Sequence, residues 1–263
     1  EQWSELFRQQ YTPPVVQKKY DELQTSIHIP SPLKQFKVFF KRDILAKLAN
    51  RSFMIISLLV APLLALVIAY LLRSSPIEGS GMGAYQLYYN EDLTIYLFVS
   101  ILISLFAGLT ISSEEILRDR KLRKREQFLH LSKNSYLFSK VAVLFGFTAL
   151  QMLAYVVVGN AILGLLDMGP DHWILLFTVG CFAIMLGLNV SATFDSAVTI
   201  YVSIPILLIP QIVLSGTMVS FHKLNPIISN LEVTPVISDF AASRWAYEAL
   251  AVRQFKDNRY RRH

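Results

Sequence analysis

The densest run of chemically capable side chains in this sequence lies between Glu114 and Glu126. It holds Glu114, Glu115, Arg118, Asp119, Arg120, Lys121, Arg123, Lys124, Arg125 and Glu126. Mixed signs at helical spacing suit ion pairing, and two readings stand side by side. One is a solvated helix laced by i,i+4 pairs; the other is a docking surface for a cytoplasmic partner. A second group, Lys34, Lys37, Lys41, Arg42, Lys47 and Arg51, is basic, with Asp43 as its one acid.

Catalytic arrangements are missing. No G-x-x-x-x-G-K-[ST] occurs. Gly79-Ser80-Gly81-Met82-Gly83 lacks both the lysine and the strand–helix setting of a phosphate loop, and reads as a flexible outer loop. No H-E-x-x-H occurs. By the topology argued below, His28 and His130 fall inside and His172 and His222 outside, so they form no common metal site. Asp171-His172 falls in a tight outer turn with no catalytic role expected. Asn50-Arg51-Ser52 and Asn189-Val190-Ser191 match the glycosylation sequon, but both fall on the cytoplasmic side and read as chance matches. No catalytic or metal-binding residue is therefore expected.

The elements that position these charges are apolar. Residues 53–72, 93–111, 141–166, 173–190 and 197–219 contain no Asp, Glu, Lys, Arg or His. A helix needs roughly 20 apolar residues to cross a bilayer core about 30 Å thick, and one mid-helix charge costs about 2.5–3.5 kcal/mol on the insertion scale. Charged residues make up 17% of the chain, against about 25% in soluble domains. The expected fold is an all-α, polytopic membrane bundle with five spans. The net charge of +6 then reads as an orientation signal and lipid-headgroup contact rather than nucleic-acid binding. Cys181 is the single cysteine, so no internal disulfide forms.

The positive-inside rule puts both basic groups, and the N-terminus, in the cytoplasm. Residues 74–92 and the 167–172 turn hold only one basic side chain between them, His172, and fall outside. The tail after the fifth span also falls outside, although it carries Lys223, Arg244, Arg253, Lys256, Arg259, Arg261 and Arg262. A sixth span after His263 is the simplest completion. The chain begins with Glu rather than Met, and it reads as a piece of a longer polypeptide.

Residues 1–30 read as a cytoplasmic linker. Ser31-Pro32 has the form of an N-cap followed by Pro at the first helical position. Leu33, Phe36, Phe40, Ile44 and Leu48 then repeat at three and four, which predicts an amphipathic helix over 31–51 lying on the inner membrane face. Ser112 and Glu115 have capping-box spacing and predict a helix over 112–131. Span three is expected over 137–166. Pro205 and Pro210 in the fifth stretch favour a cavity-lining helix over a simple kink. Asp239 is expected to cap a helix running to about Phe255, as part of an outer re-entrant or interfacial segment over 220–263.

The order of these parts resembles the membrane domain of an ABC exporter of the ABCG-like, ABC-2 (type V) class. Gln35-Phe36-Lys37-Val38-Phe39-Phe40-Lys41-Arg42-Asp43 is similar to the family's connecting helix, and Glu114–Glu126 to its coupling helix. Ile209-Pro210-Gln211 and Leu214-Ser215-Gly216 are similar to its fifth span. Ser243-Arg244-Trp245-Ala246-Tyr247-Glu248-Ala249-Leu250, followed by Gln254-Phe255, is similar to its re-entrant segment. On this resemblance residues 31–263 form an ABC-2 type transmembrane domain. The ATPase domain and the sixth span are not in the chain. The extracellular cysteines of eukaryotic members are also missing, which points to a bacterial inner membrane.

The resemblance implies two copies pairing around a pathway lined by Ser104, Leu105 and Gly108 of span two and Leu208, Ile209 and Ile212 of span five. Thr217 and Met218 would form the outer plug. Glu114, Arg118, Arg125 and Glu126 would couple the domain to its nucleotide-binding domain, upstream in the same polypeptide or separate, where ATP and Mg bind. The chain itself carries no cofactor. The implied cargo is amphipathic or lipid-like, because such a cavity is apolar. Two other classes remain open: a non-transporting mechanotransmitter or scaffold, and a membrane-embedded transferase, which needs convergent polar residues at one depth.

Overall fold

The computed structural model describes residues 2–10, 30–73, 91–126, 131–165, 168–218 and 236–256, and every regular element among them is helical. The Gly79–Gly83 loop, His28, His130, His222, the 220–235 part of the outer segment and the basic residues after Lys256 lie outside the described residues. Residues 1–30 form one unit and residues 31–263 a second. The first contains helix α1, Gln2–Gln10, within the segment read as a linker.

In the second unit α2 spans Pro32–Ala49, α3 Arg51–Leu71, α4 Glu91–Ser112, α5 Glu115–Glu126, α6 Lys133–Leu163, α7 Gly169–Thr193 and α8 Ala197–Val213. A short 3-10 turn, Val236–Phe240, precedes α9, Ala242–Lys256. Among the described residues four helices, α3, α4, α6 and α7, are long and apolar enough to cross a membrane. The fifth apolar stretch is helical for 17 residues, about 26 Å at 1.5 Å per residue. The chain breaks into turns at Leu214, soon after Pro210.

The bundle is held by small-residue seams, the usual solution where lipid removes the hydrophobic drive between helices. Ser57, Ala61, Ala65 and Ala69 form the buried stripe of α3, the helix face toward α6. Ser104, Gly108 and Ser112 of α4 meet Gly180, Ala183 and Gly187 of α7. A Cβ added at Gly108 would lie 2.7 Å from both Ala183 Cβ and Gly180 O, and one at Gly187 would overlap Ser112 Oγ. Only hydrogen in place of a side chain lets these two helices touch.

Helix α6 has 31 residues, about 46 Å, and so exceeds a bilayer core about 30 Å thick. Its first turns project past the apolar region, and α2 and α5 pack there. This charged end carries the N-termini of α3, α6 and α8 and the C-termini of α4 and α7. Helix α9 packs at the opposite end, against α4, α7 and α8.

Candidate functional site

Helix α2 begins where the sequence places it. Ser31 is the N-cap residue and Pro32 opens the helix, although the Ser31 side chain makes no capping bond. The buried face of α2 is polar but for one ring: Gln35, Phe39, Asp43 and Lys47, one per turn. The apolar stripe read from the sequence is half-buried at Phe36, Phe40 and Ile44 and exposed at its ends, Leu33 76% and Leu48 51%. A partly exposed apolar stripe beside membrane helices suits a lipid-facing surface.

The polar stripe meets α5 and α6 turn by turn. Gln35 Oε1 accepts from the Ser132 N–H at 2.7 Å, and Ser135 Oγ donates to Pro32 O at 2.9 Å. Phe39 packs edge-on against Tyr136, with the Arg42 guanidinium over the Phe39 ring. Arg42 also binds Glu126 at 3.0 Å.

Deeper in lies a buried ion cluster. Lys140 Nζ donates to Asp43 Oδ1 at 2.5 Å and Glu115 Oε1 at 2.8 Å, and pairs with Asp119 Oδ2 at 2.9 Å. Lys47 Nζ donates to the same Glu115 oxygen at 2.7 Å and sits over the Phe53 ring. Arg118 binds the other Glu115 oxygen at 3.0 Å. Three carboxylates and three cations therefore balance, contributed by α2, α5 and α6. Burial alone would raise the Glu115 carboxyl, but the Lys47 and Lys140 ammonium groups outweigh it and lower it from 4.5 to about 2. Well-paired buried ions contribute little net stability, whereas removal of one partner costs about 3–5 kcal/mol. Such a cluster fixes geometry more than it stabilises the fold.

Helices α5 and α7 cap each other. The Ile116 and Leu117 N–H groups donate to Ser191 Oγ at 3.0 and 3.1 Å. Those N–H groups lie in the first turn of α5, where no intrahelical acceptor exists. In return Arg120 donates to the Ser191 and Ala192 carbonyls at the end of α7 and pairs with Asp195. Asp119 accepts from the Tyr136 hydroxyl at 2.9 Å. The capping box expected from Ser112 and Glu115 does not form: Ser112 Oγ donates back to Gly108 O at 2.7 Å, and Glu115 serves the ion cluster.

These contacts divide the four residues expected to couple to an ATPase domain. Glu126 is spent on Arg42 of α2. Glu114 lies half-buried in the α4–α5 turn. Arg118 and Arg125 are exposed, and with Lys121 and Leu122 they form one outward face of α5.

The residues expected to line a pathway are divided too. Ser104, Leu105 and Gly108 do not face an open surface. Ser104 and Leu105 are buried, and Ser104 Oγ donates to Leu176 O of α7 at 2.6 Å. Short side chains at 104 and 108 serve the α4–α7 seam within the chain. The outward side of α4 carries Phe106 and Thr110 instead. On α8, Ile209 is exposed and Leu208 and Ile212 are half-buried. Thr217 and Met218 follow α8 in the turn; the Thr217 N–H donates to Ser215 Oγ, and Met218 is exposed.

At the opposite end His172 is buried in the first turns of α7 rather than set in a loop. Its Nδ1 lies 3.1 Å from Asn160 Oδ1, which also accepts from the Tyr96 hydroxyl at 3.2 Å. Ser243 of α9 donates to Gln211 O of α8, and Arg253 binds Asp171 at 2.8 Å. Asp239 pairs with Arg244 rather than capping α9.

Sequence reasoning did not single out Asp43, Lys47 and Lys140 as a set, nor Ser191 as a cap. The signal for the first was present. Gln35, Asp43 and Lys47 repeat at multiples of four on α2, opposite in character to the apolar stripe.

A sequence model of the family described as ABC-2 type transporter matches residues 34–255. No curated protein matches the chain.

Proposed function

The chain belongs to the ABC-2 type transporter family, and from that premise we propose that it is the membrane-spanning half of an ATP-driven exporter. An associated nucleotide-binding domain, fused or separate, holds ATP and Mg. It docks on the outward face of α5, where Arg118, Lys121, Leu122 and Arg125 offer positive charge around one apolar contact. The charged end of the bundle is cytoplasmic, because the Lys- and Arg-rich elements gather there; the single cysteine, Cys181, favours a bacterial inner membrane.

The observation that carries this reading is the Asp43–Lys47–Glu115–Lys140 cluster. It joins the exposed α5 to α2 and to the long α6, so a push on α5 moves the three together. Two copies pair through the outward sides of α4 and α8, where Phe106, Thr110 and Ile209 are exposed. Closure of the ATPase domains then biases the pair between inward-open and outward-open states. The apolar lining suits an amphipathic or lipid-like cargo.

The test is ATP-driven transport by the full chain with its ATPase, reconstituted in vesicles. Lys121→Glu combined with Arg125→Glu is expected to leave the melting temperature unchanged while transport is lost. Transport at the parent rate would overturn the docking assignment.

A further inference from the structure

A pocket of about 840 Å³ opens at the charged end of the bundle, between α2, α5, the start of α6 and the end of α7. Its volume is that of a small-ligand site. Four cations line it, Arg120, Arg123, Lys124 and Lys133, against two acids, Glu126 and Asp195. Both acids are already bound, Glu126 by Arg42 and Asp195 by Arg120. Arg123, Lys124 and Lys133 have no acidic partner among the described residues. Three uncompensated positive charges therefore face one cavity. A concave wall of one sign focuses its field and concentrates anions.

The donors are held in place. The Arg123 guanidinium lies 5.0 Å from the centre of the Tyr136 ring, and the Tyr136 hydroxyl is anchored on Asp119 at 2.9 Å. That contact spends no Arg123 N–H group on an oxygen. Ser132, half-buried in the same wall, accepts from the Ser135 N–H and keeps its own hydroxyl hydrogen to donate. The pocket also lies beyond the lipid headgroups. Lys133 precedes Val141, the start of the uncharged run of α6, by eight residues, about 12 Å of helix. The headgroup layer adds only about 5–8 Å to each side of the hydrocarbon.

We propose that this pocket binds a soluble phosphate monoester with a body the size of a sugar. A phosphate monoester offers three terminal oxygens and nearly two negative charges, so it meets donors from α5 and α6 at once. A carboxylate has two oxygens and one charge. The guanidinium fork of Arg123 suits two phosphate oxygens, and Lys133 adds a point charge. Lys124, exposed at the rim, draws the anion in. The site does not rest on the ATPase docking reading. At about 100° per residue, Arg120, Arg123 and Lys124 lie on the side of α5 opposite Lys121, Leu122 and Arg125.

The test is calorimetric titration of glucose 6-phosphate into the full chain in phosphatidylcholine nanodiscs. The comparison ligand is glucose 6-sulfate, which has the same shape and one charge. The phosphate is expected to bind about tenfold tighter, the factor one charge-assisted hydrogen bond supplies. Arg123→Gln and Lys133→Gln are each expected to weaken it by about tenfold. Lys133 is exposed, so its replacement leaves the melting temperature unchanged. Lys121→Gln combined with Arg125→Gln removes two charges from the opposite side of α5 and is expected to leave binding unchanged. Equal affinity for the two esters overturns the proposal. So does equal weakening by the opposite-side pair, the mark of diffuse attraction for anions. Phosphatidic acid carries the same monoester on a lipid. Its displacement of the sugar phosphate beyond that by phosphatidylglycerol, or no binding of the sugar phosphate at all, also overturns it.

Discussion

Lys140 Nζ lies 2.8 Å from Glu115 Oε1, so the start of α6 and the first turn of α5 meet through a buried ion pair. The same ammonium holds Asp43 of α2. One side chain thus ties together three helices that the sequence separates by 97 positions at most.

Replacement of that side chain leaves three carboxylates facing one another. Lys140→Met is expected to cost about 3–5 kcal/mol, the usual effect of breaking a buried pair. Adding Glu115→Gln should cost less than the sum of the single changes, because the two residues share the cluster. Thermal melting of the purified protein in detergent, arranged as a double-mutant cycle, checks this. Simple additivity would mean that the pair is not coupled.

Acid should loosen the same end. The Glu115 carboxyl is lowered from 4.5 to about 2 in the folded chain. A depressed carboxylate contributes stability above its unfolded value and loses it as pH falls through the folded value. Its contribution is therefore complete above about pH 4.5 and disappears toward pH 2. A melting series across this window should fall for the parent chain and be flatter for Glu115→Gln.

Ser191→Ala removes the acceptor for two first-turn N–H groups of α5. The expected loss is about 0.5–2 kcal/mol, the range for a helix cap. Hydrogen exchange at Ile116 and Leu117 should speed up while exchange in α3 is unchanged. Unaltered exchange at those two amides would show that the cap does not hold α5.

Much of the bundle was legible in the sequence, because the physics behind it is local. Uncharged runs near 20 residues mark spans, and Ser31-Pro32 marks the start of α2. The polar spacing of Asp43 and Lys47 on α2 was legible, but the ion cluster was not, since Asp43, Glu115 and Lys140 carry no sign of which partner each will find. The seam contact of Ser104 and Gly108 was hidden for a related reason. Small residues on a membrane helix suit either a lumen or a tight seam, and the sequence does not show the opposing Gly180 and Ala183. The capping box failed because Glu115 gains more from two ammonium groups than from one backbone N–H.

If the cluster transmits motion, α2 and α5 must move as one body. Val38 is exposed on α2 and Lys124 is exposed on α5 outside the proposed docking face, so cysteines there can carry spin labels in the full chain with its ATPase. Pulsed electron resonance should give the same Val38→Cys to Lys124→Cys distance with and without ATP, while transport continues. A distance that changes by several ångströms between the two states would contradict rigid coupling through Lys140 and Glu115.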